Sequence, residues 1–200
     1  GPTYYLSNPY RNYAMNFDGT NDYVSIPSPT TALTGEITIS MWIKRDDISE
    51  TGMSLISKSP YREFGIRLWA KLTVYNGTTD GGEYYYSYIG PDTSIFSANT
   101  WYHVVVTREG SGTSWTVKVY INGTLNTSDT GTLQSGSTGN NTPPSSTYDI
   151  YIGASNANGS LEKYFNGRTS DVRIYDSALD AQDIYKIYKT GEVLGNEIVH

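Results

Sequence analysis

Residues 101–123 read WYHVVVTREGSGTSWTVKVYING, and this stretch decides the fold class. Trp115, Val117, Val119 and Ile121 alternate with Thr116, Lys118 and Tyr120. A period of two places one set of side chains in a core and the other outside it, the pattern of a β-strand. Val104, Val105 and Val106 do not alternate, so their strand is expected to be covered on both faces. Asn122-Gly123 closes the stretch with a type I′ turn signal, because both central positions need positive φ. Working outward, Ile37, Ile39, Met41 and Ile43 alternate with Thr38, Ser40, Trp42 and Lys44. Further strands are expected at 15–17, 23–26, 54–57, 64–68, 71–75, 84–89, 148–152 and 164–175, with Asn76-Gly77 as a second turn signal. Strands separated by turns at this spacing indicate an all-β sandwich or barrel. One helix is expected over 181–190, capped by Asp180 and closed by Gly191, with Ile184, Ile187 and Tyr188 on one face.

The chain has 200 residues, enough for one domain. The domain is expected over 14–200, with 1–13 as an arm or linker and Gly1-Pro2 as the scar of a removed tag. There is no cysteine, and His103 and His200 are the only histidines, which excludes disulfides, zinc–thiolate centres and multi-histidine sites. A net charge of −6 argues against a dedicated nucleic-acid binder, whose affinity rests on neutralising phosphates. No apolar run of about 18 residues exists to cross a membrane as a helix. No charged start followed by an apolar run marks a signal peptide, so one is expected to be absent or removed. Tyrosine is abundant, 19 residues against 4 Phe and 4 Trp. Its ring is apolar and its tip polar, which suits strand surfaces and recognition sites. Residues 127–147 form a long Ser-, Thr-, Gly- and Asn-rich loop, expected to be mobile or held only by packing on the sheet. Asn-x-Ser/Thr sites occur at Asn76, Asn122, Asn126, Asn140 and Asn158.

The order of motifs carries a resemblance. AMNFDGTNDYV at 14–24, ITISMW at 37–42, WYHVVVT at 101–107, VKVYING at 117–123 and FNGRTSDVRIYDSAL at 165–179 follow one another before the helix. This series resembles the laminin G-like, or concanavalin A-like lectin/glucanase, domain over about 14–190. The resemblance implies two antiparallel sheets in a jelly-roll sandwich, with the helix plugging one end. Hydrolases of this superfold carry a Glu-x-Asp-x-x-Glu strand that sets acid and nucleophile side by side. The pattern is absent here. Asp46, Asp47 and Glu50 lie close together but in a polar turn. His103 and Tyr102 adjoin on one strand and so point to opposite faces, which rules them out as a local pair; the resemblance makes His103 part of a structural W-x-H-V motif, a hydrogen-bonded residue. Catalysis is not expected.

Two ligand readings remain. The resemblance implies that Asp18, Gly19, Asn21 and Asp22 lie near Asp171 of the late strand and could hold a structural calcium ion, which takes hard oxygen ligands. Against this, Asp18 and Asp22 can simply cap their turn while Asp171 pairs with Arg168 or Arg173. For glycan binding, Tyr84, Tyr86 and Tyr88 would share one strand face about 7 Å apart, with Trp69 nearby; the alternative is that they cover the core or the sheet edge. The acidic balance favours a neutral glycan. The function expected is a non-catalytic carbohydrate-binding module of an extracellular, cell-surface or virion protein. The alternative is an assembly or adhesion domain that binds another protein, with an oligomer possible.

Overall fold

The computed structural model describes residues 3–5, 14–30, 32–49, 52–58, 63–77, 85–111, 114–129, 132–133, 143, 145–157, 160–190 and 197–199. The strands are β1 (Thr3–Tyr5), β2 (Ala14–Asp18), β3 (Val24–Ile26), β4 (Ile37–Arg45), β5 (Met53–Lys58), β6 (Phe64–Leu68), β7 (Lys71–Gly77), β8 (Tyr85–Asp92) and β9 (Trp101–Ser111). They continue as β10 (Ser114–Ile121), β11 (Thr124–Asp129), β12 (Thr132–Leu133), β13 (Ile150–Ile152), β14 (Ser155–Ala157), β15 (Ser160–Glu162), β16 (Asn166–Tyr175) and β17 (Glu197–Val199). One α-helix, α1 (Ala181–Thr190), lies between β16 and β17. An eight-stranded sheet runs β1-β2-β16-β4-β9-β10-β11, with β17 also on β16. A seven-stranded sheet runs β12-β8-β7-β6-β5-β13-β3, and β14–β15 form a separate hairpin. The two large sheets are antiparallel, as the sandwich reading requires.

The alternating residues meet between the sheets. Ile37, Ile39, Met41 and Ile43 pack with Val104, Val106, Val117 and Val119 from one side and with Leu55, Phe64, Ile66, Leu72 and Val74 from the other. Val105 faces away and joins a second cluster with Tyr120, Tyr175, Leu179, Ile184 and Ile187. The valine triplet is therefore covered on both faces, as its composition implies. The helix forms over the expected residues, with the Asp180 carboxylate accepting from the N–H of Gln182 (2.8 Å) and Asp183 (2.9 Å). Its place differs from the expectation: it lies against the outer face of the eight-stranded sheet, because Val105, Tyr120 and Tyr175 give its apolar stripe a second partner.

Three other expectations are corrected. Asn122-Gly123 is a turn with φ of 51° and 76°, but Asn76-Gly77 is the end of β7, paired with Tyr86 and Tyr85. Cross-strand pairing overrides the local signal there. Residues 3–5 of the expected arm are a strand on the edge of the same chain's β2, and 6–13 lie outside the described residues. Of the 127–147 loop, Thr127–Asp129 belong to β11 and Thr132–Leu133 form β12 on β8. Its far end is fixed by Glu63, whose buried carboxylate accepts from Ser146 N (2.6 Å), Ser146 Oγ (3.0 Å) and Leu33 N (3.1 Å). Lys58 completes that site with a buried ion pair at 2.8 Å, so two charges are held in the interior by a full set of partners. The rest of the loop lies outside the described residues.

Candidate functional site

The two sheets turn different surfaces outward. On β6, Phe64, Ile66 and Leu68 enter the core, which sends Gly65 and Arg67 to the outer face. The chain then turns at Trp69, and this turn is pinned. Thr93 donates its hydroxyl to the carbonyls of Trp69 (2.8 Å) and Ala70 (3.1 Å) and its N–H to Ala70 (2.9 Å). The Trp69 ring is 41% exposed. It lies over Gly52, where a Cβ would touch the ring at 3.8 Å, and Lys163 Nζ stands 5.8 Å from its centroid. Next to Lys163, the half-exposed carboxylate of Glu162 is 3.6 Å from buried Arg67. Arg67 also donates to Ser155 Oγ at 2.7 Å and lies 5.5 Å from the Tyr75 ring. An aromatic face on a pinned turn thus has an ammonium beside it, and the chain neighbour of that lysine carries a carboxylate that pairs with Arg67. Further along the same outer face, Tyr23 and Tyr151 pair with centroids 6.0 Å apart.

Among the expected sugar contacts, Trp69 is an exposed ring. Tyr84 lies outside the described residues. The backbones of Tyr86 and Tyr88 belong to β8, opposite Asn76 and Val74 of β7, and Val74 is a core residue; the tyrosine side chains lie outside the described residues. Sequence reading missed the approach of Lys163 to the Trp69 ring, which a separation of more than 90 residues hides.

The expected calcium ligands do not converge. β2 runs against β16 with Asp18 opposite Asn166. Asp171 is five residues further along β16, about 16 Å away at the strand rise of about 3.3 Å per residue. There Asp171 accepts from Arg173 Nε at 2.8 Å in a break of the β16–β4 register, with φ of 52°. The Asp18 carboxylate accepts from Thr20 N (2.8 Å) and Asn21 N (3.3 Å), and Asp22 accepts from Asp18 N (3.2 Å). Those backbone bonds hold the Asp18 carboxyl below the usual carboxylate range. Gly19, with φ of 77°, donates its N–H to the carbonyl of Phe165. The five residues therefore serve two separate local structures and do not fit one calcium cage. Among the described residues, no group of three His, Asp or Glu side chains could hold a metal ion.

The other outward face, on the eight-stranded sheet, is closed. His103 is 1% exposed and shares a hydrogen bond of 2.8 Å between Nε2 and Ser40 Oγ. Its ring stacks on Tyr188 of α1 at 5.7 Å and lies 5.1 Å from Trp42. Tyr102, its neighbour in sequence, meets Phe96 edge-on at 5.1 Å against the main core. The two residues are on opposite faces, and His103 is structural. Asp47 accepts from Ser49 N and Oγ, both at 2.8 Å, in an exposed turn; Glu50 lies outside the described residues. Asn122 is occupied too, since its Oδ1 accepts from His103 N at 2.9 Å.

The family model of the concanavalin A-like lectin/glucanases superfamily matches residues 18–185. The chain belongs to this superfamily. No curated protein matches it in sequence. Among solved structures it is similar to domain 4 of AbnA, an extracellular GH43 arabinanase of Geobacillus stearothermophilus in complex with arabinotriose. The TM-score is 0.65 at 16% identity, over 94% of this chain and 82% of that one. It is also similar to the binding domain of botulinum neurotoxin DC in complex with rat synaptotagmin II, with a TM-score of 0.66 at 18% identity over 96% of this chain. This chain spans 46% of that toxin chain. At such identities the likeness is one of fold. One similar domain is seen with a sugar and the other with a protein, and no helix among the described residues is long and apolar enough to cross a membrane.

Proposed function

We propose that the chain is a glycan-binding module of an extracellular, cell-surface or virion protein, binding without turnover. The observation that carries this reading is the half-exposed Trp69 on its pinned turn, bordered by the Lys163 ammonium at 5.8 Å, whose chain neighbour Glu162 pairs with Arg67. A sugar ring offers apolar C–H faces and a rim of hydroxyls, so it needs an aromatic surface with polar groups at its edge. A turn fixed before binding loses little entropy on binding. The mixed charge of the border suits a neutral glycan better than a strongly anionic one. Arabinotriose in the similar arabinanase domain supports the class of ligand.

The test is calorimetric titration of neutral oligosaccharides, arabinotriose first, against the native chain and Trp69→Ala. The variant is expected to lose at least tenfold in affinity with its melting temperature kept, since the ring is exposed. Equal binding by both proteins places the glycan elsewhere. Absence of binding across a broad neutral glycan array replaces the glycan reading with that of a protein-binding assembly domain.

A further inference from the structure

The helix side of the sandwich holds a second opening. A shallow, open depression of about 550 Å3 is lined by Gly123, Ala181, Gln182, Tyr185 and Lys186. Its position follows from the helix. Ile184 and Ile187 face the sheet, so residues 182, 185, 186 and 189, at i, i+3, i+4 and i+7, form an outward stripe. That stripe reads Gln182, Tyr185, Lys186, Lys189. Tyr185 is 51% exposed although it is the stripe's one large ring. Gly123 leaves the floor without a side chain: its φ is 76°, and a Cβ there would come within 2.7 Å of the Tyr188 ring. Asp183 holds the Lys186 ammonium at 2.8 Å, and Lys189 Nζ lies 5.6 Å from the Tyr185 centroid. The stripe thus carries two ammoniums, Lys186 held by Asp183 and Lys189 standing over the Tyr185 and Tyr188 rings, with the Asp180 carboxylate engaged at the helix start.

We infer that this depression is a binding site for an anionic sugar ring, one bearing a carboxylate or a sulfate, on the face opposite the Trp69 site. Tyr185 takes the apolar face of the ring, the Gln182 amide a hydroxyl, and Lys186 with Lys189 the anionic group. A neutral sugar uses only half of this chemistry, and an apolar protein side chain leaves the ammoniums unused. The two faces then select differently charged sugars and can engage one mixed glycan together, so that the second contact is intramolecular and gains from effective concentration.

The experiment titrates the full chain, Tyr185→Ala, Lys186→Gln and Trp69→Ala with digalacturonate, a sulfated galactose disaccharide and arabinotriose. At least one anionic saccharide is expected to bind, more weakly as salt rises. Tyr185→Ala and Lys186→Gln should each weaken that binding at least tenfold, while Trp69→Ala leaves it unchanged. Whichever anionic saccharide binds distinguishes carboxylate from sulfate. Failure of both to bind overturns the proposal. So does loss in Trp69→Ala with Tyr185→Ala unaffected, which puts the anion on the other face, or equal, salt-independent affinity for arabinotriose. Because both variants change exposed side chains, their melting temperatures should match the native value. The outcome is independent of the Trp69 reading, which stands or falls on neutral sugars and Trp69→Ala.

Discussion

The outer faces of the two sheets are built from the same alternation and end in opposite chemistry. On the eight-stranded sheet, positions 38, 40 and 42 of β4 and 103, 105 and 107 of β9 point away from the main core. Several are apolar or aromatic, and α1 covers them: Val105 joins Tyr120 and Tyr175 in a second core, and buried Trp42 stacks on Tyr188 of the helix. On the seven-stranded sheet the corresponding positions are mostly polar or small, Ser54, Ser57, Gly65, Arg67 and Thr73, with Tyr75 and Tyr151 as rings that carry polar tips. These cannot drive burial by an apolar helix, and they are crossed by the β14–β15 hairpin through polar bonds such as Arg67 to Ser155. The hydrophobic effect closes one face. Hydrogen bonds organise the other and leave an aromatic ring in solvent at its margin. A face that must recognise a sugar needs the second arrangement, because ligand hydroxyls must find fixed polar partners.

The largest expected effect tests the closed face. Trp42→Ala should destabilise the fold by about 3–5 kcal/mol, because its ring is buried between His103 and Tyr188. Denaturant unfolding measures this, and a loss near zero would mean that α1 adds nothing to the core. A step down in size, Arg67→Met should cost about 1–3 kcal/mol by removing the bonds to Ser155 and Glu162. If Arg67→Met costs as much as Trp42→Ala, the distinction between apolar and polar closure fails. Smaller again, Trp101→Ala should cost about 1 kcal/mol, because its ring is only partly buried, with Lys44 Nζ 6.0 Å from its centroid. The two tryptophans of matching motifs then separate by position: one under the helix, the other at the entry to β9.

Strand existence and the helix were legible because period and capping are local. The face each strand would show was less so. Alternation in 37–44 says that Trp42 is opposite Ile43, and only the helix, more than 130 residues away, turns the second face into a core. The same limit explains the two Asn-Gly pairs. Asn122-Gly123 is a turn because β10 and β11 end there together, whereas Asn76-Gly77 is held in β7 by two further rungs with β8. The candidate site was legible in part: Trp69 could be named from the sequence as an aromatic near the expected sugar contacts, but Lys163 reaches it from the end of a hairpin with no sequence signal. The calcium expectation took Asp18 and Asp171 as neighbours from motif order, whereas the register sets them five residues apart along β16, a spacing that motif order does not encode.

The smallest effect concerns the Asp18 turn, which neither the helix nor the hairpin covers. In the folded chain the N–H groups of Thr20 and Asn21 bond to the Asp18 carboxylate and hold its pKa below the ordinary value; on unfolding it returns to about 3.9. The unfolded state therefore takes up the proton first as the solution is acidified. The stabilising contribution is complete above about pH 4 and disappears as pH falls through the lowered folded value. Asp18→Ala should lower the melting temperature slightly at pH 7 and not at all in strong acid, where the native carboxyl is protonated too. Asp18→Asn, whose amide oxygen can still accept the turn bonds, should fall between the two proteins at pH 7. A gap of the same size at both pH values would show that the carboxylate charge is irrelevant to the turn. Chelator is expected to leave the native melting temperature at pH 7 unchanged, since these bonds and not a cation satisfy Asp18. A drop on chelation, abolished by Asp18→Ala, would instead place a bound ion on this turn and make its stability depend on metal rather than on backbone hydrogen bonds.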